Sequence, residues 1–229
     1  MWLLNSSIGR KLIMSLSGIF LILFLLFHAS MNVAAVFSEE AYNAICGFLG
    51  ANWYAVAGTL VLAAGFLIHI GFSIWLTLQN RKARGNDRYA VNVRPKNVEW
   101  ASQNMFVLGL IVVCFLGLHF AQFWYKMMFA ELMGHHQVEL GGATVSPHEG
   151  AAFIRYYFSN ILIVGLYLVW YVALWFHLTH GFWSAIQTVG FSNGIWLKRW
   201  QVISNIFATL ICLAFAFVTV FFYIKSILV

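Results

Sequence analysis

Successive blocks of more than about 20 apolar residues dominate this chain, and blocks of that length and apolarity do not suit a soluble domain. Hydrophobic residues make up 62% of the 229 and charged residues only 9%, with a mean hydropathy of +0.82. We therefore read it as an all-α polytopic membrane protein. The two prolines, Pro95 and Pro147, both lie in polar connectors, so no block is interrupted by a residue that removes a helix hydrogen bond.

Five apolar segments can be drawn, at about 10–36, 53–79, 102–130, 154–190 and 198–227, in a single domain covering 1–229. The first four are expected to form a ligand-binding bundle. The third and fourth exceed one bilayer crossing, so they should project beyond the hydrocarbon or tilt. Trp53, Trp100, Trp124 and Trp196 fall near segment ends, where such rings anchor helices at the membrane interface.

Charge assigns the sides. Arg10 and Lys11 precede the first segment, Arg81, Lys82, Arg84, Arg88, Arg94 and Lys96 separate the second from the third, and Lys198 and Arg199 precede the fifth. The other side carries Lys126, Arg155 and Lys225 among Glu39, Glu40, Glu131, Glu139 and Glu149. The positive-inside bias places the N-terminus in the cytoplasm and the C-terminus outside, across a cytoplasmic (inner) membrane. The net charge of +6 thus reads as a topology signal and not as nucleic-acid binding. The first segment reads as a retained helix and not as a signal peptide, because it runs past 20 residues and contains a histidine and an asparagine.

Cys46, Cys114 and Cys212 are scattered, without a C-x-x-C pair or a C-x-x-C-H haem-attachment sequence, and read as buried small hydrophobes. The outer connector holds His135, His136 and His148 in a Gly-rich stretch whose spacing matches no known metal-ligand pattern. The long basic connector at 81–100 could dock a soluble partner or serve only as a solvated loop.

His28, His69, His119 and His177 sit one each in the first four segments. An ionisable ring in hydrocarbon is costly and usually functional, and neutral imidazoles are the usual axial ligands of a b-type haem held between helices. Ligands of one haem must share a depth. At 1.5 Å per residue, His28 lies roughly 25 Å from Lys11 and His119 roughly 24 Å from Gln103, whereas His69 lies roughly 18 Å from Arg81 and His177 roughly 20 Å from Gly190. His28 therefore pairs with His119, and His69 with His177, which would hold two haems non-covalently. His180, one turn from His177, is an alternative ligand. Ser17 and Gly18, Gly58, Gly109 and Gly165 lie about three turns before each ligand, and each should face the level of the other haem.

The stretches SSIGRKLIMSLSGIFLILFLLFHASMNV, WASQNMFVLGLIVVCFLGLHF and FHLTHGFWSAIQTVG, in this order, resemble the cytochrome b membrane-anchor subunit of succinate dehydrogenase and fumarate reductase, in its single-subunit, five-helix, two-haem form. The resemblance spans nearly the whole chain. It implies one axial histidine from each of the first four helices, and it favours His177 over His180 because His177 precedes Gly181 by four residues and Gly190 by thirteen. His180 is then a neighbour of the ligand or a propionate partner. The implied cofactors are two haem b, with quinone as substrate, menaquinone in many two-haem relatives. The implied partners are a flavoprotein subunit with FAD, where the dicarboxylate chemistry resides, and an iron–sulfur subunit docking on the cytoplasmic face, in a complex that could pair as a dimer. Asn32 and Gln122, near His28 and His119, could hydrogen-bond a quinone carbonyl or bond between helices.

Two rivals remain at this stage. One is the di-haem cytochrome b subunit of a hydrogenase or formate dehydrogenase. The other is a haem-free proton-coupled transporter, which would need acids in mid-membrane, whereas all seven acids lie in connectors or at helix ends.

Overall fold

The computed structural model describes residues 2–84 and 99–228. Among the described residues five helices are long and apolar enough to cross a membrane: Ser7–Phe37, Trp53–Ala83, Trp100–Leu132, Ile161–Thr188 and Trp196–Leu228. The chain is a multi-pass α-helical membrane protein. Residues 85–98, which carry most of the basic connector, lie outside the described residues.

A helical turn, α1 (Trp2–Asn5), leads into the first span, α2 (Ser7–Phe37). Ser6 caps α2 by accepting a hydrogen bond from the Gly9 N–H at 2.9 Å. A short helix, α3 (Glu39–Phe48), follows at once, and the second span is α4 (Trp53–Arg84). The third span begins as α5 (Trp100–His119), widens into π-helical turns over Phe120–Phe129, and closes with α6 (Ala130–Leu132). A hairpin of β1 (Val138–Leu140) and β2 (Ala143–Val145) precedes α7 (Gly150–Phe158), the fourth span α8 (Ile161–Thr188) and the fifth span α9 (Trp196–Leu228).

One expectation needs correction: the fourth apolar segment, read as continuous over 154–190, is broken. Asn160 takes extended angles (φ −92°, ψ 116°), and its side chain accepts from the N–H groups of Leu162 and Ile163, starting α8 afresh and leaving α7 as a separate helix. The fifth span, α9, packs against α8, α2 and α7, while α4 rests mainly on α2. Small residues explain this. Ser204, Ala208 and Thr219 on α9 are fully buried and let the backbones approach closely, and hydrogen bonds from Trp175 Nε1 to Thr209 (2.9 Å) and between Tyr171 and Thr219 (2.9 Å) lock α8 to α9. By contrast α4 presents Leu60, Val61 and Leu67 outward, as a lipid-facing helix should.

At one end of the bundle, α3, the hairpin and α7 form a cap. Glu39 pairs with both Arg155 and Lys225 (2.7 Å to the latter), joining α3, α7 and α9. Asn43 Oδ1 accepts from the Ala151 N–H at 2.9 Å, and His148 meets Glu131 at 3.3 Å. Gly141 (φ 62°) and Gly142 (φ 87°) are the two turn residues of the hairpin, where both positions require positive φ.

Cys46 on α3 faces the start of α7, where a Cβ at Gly150 would run into its Sγ. Burial pushes this thiol up from 9.0 to about 11, against the opposing hydrogen bonds from Tyr42 and the Gly150 N–H. Between those two values the unfolded chain releases the proton and the folded chain keeps it. This contribution to stability is therefore intact below about pH 9 and is lost as the pH rises to about 11. In a Cys114→Ser, Cys212→Ser background, maleimide labelling of Cys46 should keep accelerating about tenfold per pH unit up to that value. A plateau near the ordinary thiol value of about 8.5 would contradict this placement.

Candidate functional site

The spans bring the four histidines together as two couples. His28 on α2 faces His119 at the end of α5, with ring centres 5.9 Å apart and planes at 83°. His69 on α4 faces His177 on α8, with ring centres 6.3 Å apart and planes at 72°. Two imidazoles sharing one metal ion, each at a metal–nitrogen distance of about 2 Å, have ring centres about 6 Å apart. Each couple therefore has the spacing of a bis-imidazole iron site.

The couples lie at different depths. Gly18 on α2 faces His69, since a Cβ there would lie 3.3 Å from its Cε1, and Gly109 on α5 faces His177, with a Cβ 3.5 Å from its Cε1. His28 and His119 lie ten residues further along those same helices, or roughly 15 Å at the α-helical rise. The sequence suggested layers only about 5 Å apart, because it measured each ligand from a charge or helix end and those marks do not share one plane. Antiparallel packing supplies the better ruler. At Gly58 and Gly165 nothing among the described residues lies within 4 Å of an added Cβ, so the space beside both is open.

Hydrogen bonds fix the rings. Tyr167 on α8 donates to Gln122 Oε1 at 2.8 Å, which leaves its oxygen to accept from His119 Nδ1 at 3.4 Å. Ser17 donates to the Met14 carbonyl at 3.0 Å and so accepts from His69 Nδ1 at 3.3 Å. Both imidazoles then carry their proton on Nδ1 and keep the Nε2 lone pair for a metal. Among the described residues His177 Nδ1 is buried without a partner, and His28 Nε2 has Asn32 Nδ2 at 3.5 Å, the outer limit of a hydrogen bond. The couple near the cap is walled by aromatic rings. Phe24 stacks on His28 and Phe215 of α9 lies 5.8 Å from it, while Phe123 and Trp170 flank His119 at 5.1 and 5.7 Å.

The remaining candidates take other places. His180 turns to Glu99 at 3.2 Å, away from the couple that His177 forms with His69. Asn32 donates to the His28 carbonyl at 2.8 Å and accepts from Tyr42 at 3.3 Å, and Gln122 is buried and accepts from Tyr167, so both amides bond between elements. Among the described residues no group of three His, Cys, Asp or Glu side chains could hold a metal ion, so His135, His136 and His148 form no such group. Sequence reasoning missed Tyr167, whose aromatic ring hides among the many of α8. It named Ser17 for its size, although the hydroxyl is what meets His69.

On this donor set the residues fit haem iron: two imidazole couples at the right separation, Nε2 lone pairs free on His119 and His69, and glycines where a side chain would crowd the opposite ring. No protein-family model, curated protein or solved structure matches this chain.

Proposed function

We propose that the chain is the membrane anchor and electron-transfer subunit of a succinate:quinone oxidoreductase, a succinate dehydrogenase or fumarate reductase, and connects membrane quinone to an iron–sulfur subunit through two b haems. The observation that carries this reading is the pair of imidazole couples, each about 6 Å between ring centres, one above the other inside an apolar bundle. His28 and His119 would hold the haem near the cap, and His69 and His177 the other. Bound there, the haems supply one-electron redox chemistry.

The chain's own residues do the rest. Tyr167 and Ser17 hold His119 and His69 by their Nδ1 atoms, and Phe24, Phe123, Trp170 and Phe215 keep water from the couple near the cap. The basic residues put the uncapped end in the cytoplasm, where the iron–sulfur subunit and the FAD-bearing flavoprotein dock, with the cap outside. The motif resemblance supports this choice of partners, and of menaquinone as the quinone. A quinone contacting Asn32 or Gln122 would have to displace the hydrogen bonds those amides already make.

Isolated in mild detergent from its native membrane, the chain should co-purify with a flavoprotein and an iron–sulfur protein, and succinate or quinol should reduce b-type bands. Reducible bands with a hydrogenase or formate dehydrogenase partner would overturn the succinate assignment. Absence of b-type bands would revive the proton-coupled transporter.

A further inference from the structure

The two couples differ in what lies behind the ligands, and the difference centres on Tyr167. Among the described residues His177 has no partner at Nδ1, and His69 has the small hydroxyl of Ser17, itself tied to its own helix. His119 instead meets a phenol whose proton is already committed to the buried Gln122 Oε1 at 2.8 Å. A hydroxyl that donates becomes a better acceptor, because hydrogen bonds in a chain polarise one another in a low-dielectric interior. A better acceptor on Nδ1–H makes the imidazole more basic at Nε2.

Position strengthens the case. Tyr167 is 2% exposed, packed edge-on against Phe158 and Trp170, so its hydroxyl is not free to turn to water. Gln122 is buried as well, and it lies in the π-helical turns that begin directly after His119. π-turns are uncommon and frequent at functional sites. Here the widened turns carry Gln122 on the same span as the ligand it serves, while Tyr167 comes from the neighbouring span.

Resting on the two-haem reading above, we propose that Tyr167, polarised by Gln122, is a positioning residue that sets the reduction potential of the haem held by His28 and His119. A more basic ligand favours the ferric state, so the tyrosine–glutamine pair holds this potential down, and removing the hydroxyl must raise it. The other haem, served by Ser17, is left unchanged.

The test is a potentiometric titration of the full complex in detergent, comparing the native protein with Tyr167→Phe and Gln122→Leu. The haem near the cap is assigned as the one whose potential disappears in His119→Ala. Tyr167→Phe keeps the ring and both haems, and should shift that one potential upward by about tenfold in the ferric/ferrous ratio, or about 59 mV for one electron. Gln122→Leu, which leaves the phenol in place but unpolarised, should shift it in the same direction by less. Should Tyr167→Phe shed a haem, the upward shift in Gln122→Leu carries the result. Two retained haems with neither potential moved, equal shifts of both potentials, or a downward shift would each overturn the proposal. A native protein without haem would instead overturn the functional reading on which it rests.

Discussion

Replacing His119 by alanine should remove one of two haems and spare the other, and replacing His177 should do the same for the opposite haem. The prediction follows from the separation of the couples. His28 and His119 share one site and His69 and His177 another, with roughly 15 Å of helix between them, so neither couple shares a ligand with its neighbour. Removing one imidazole leaves an iron held on a single side, and loss of a ligand in a closed site typically abolishes stable binding. His180→Ala should retain both haems, since His180 faces Glu99 and its loss leaves the His69–His177 couple complete. Pyridine haemochrome analysis of the three purified variants checks all three outcomes. A His180→Ala protein with one haem would transfer the ligand role from His177 to His180.

Phe153→Ala should lower the stability of the protein by about 3–5 kcal/mol, the usual cost of emptying a fully buried phenylalanine site. Phe153 is 0% exposed on α7, the short helix whose Arg155 shares Glu39 of α3 with Lys225 of α9. Ala151 and Ile154 beside it are equally enclosed, so little can collapse into the space. Thermal unfolding in detergent micelles should show a clearly lower midpoint. A midpoint within a degree of the native one would mean that α7 is not the keystone of the cap.

How far the sequence reached follows from which forces act locally. Span number and type were legible because hydrocarbon length imposes long apolar runs, and the pairing of His28 with His119 and of His69 with His177 followed from alternating helix direction together with the depth of each ring along its helix. The break at Asn160 was not. One capping side chain decides it, within an apolar run that carries no proline or glycine there to announce it. The central role of α9 was missed because no histidine marks that span, while its packing depends on small residues such as Ser204 and Ala208, which say nothing about their partners. The cap escaped notice for a similar reason. Its bonds between Glu39, Arg155 and Lys225 join residues more than a hundred positions apart, and in the sequence these read only as scattered charges. The π-helical turns after His119 have no local signature at all, yet they contain Gln122.

The most direct measurement is an experimental density map of the protein purified from its native membrane. The account predicts two planar tetrapyrroles, one with iron between His28 and His119 and the other with iron between His69 and His177. Imidazoles packed against one another with no tetrapyrrole between them, or iron bound by any other set of side chains, would contradict it.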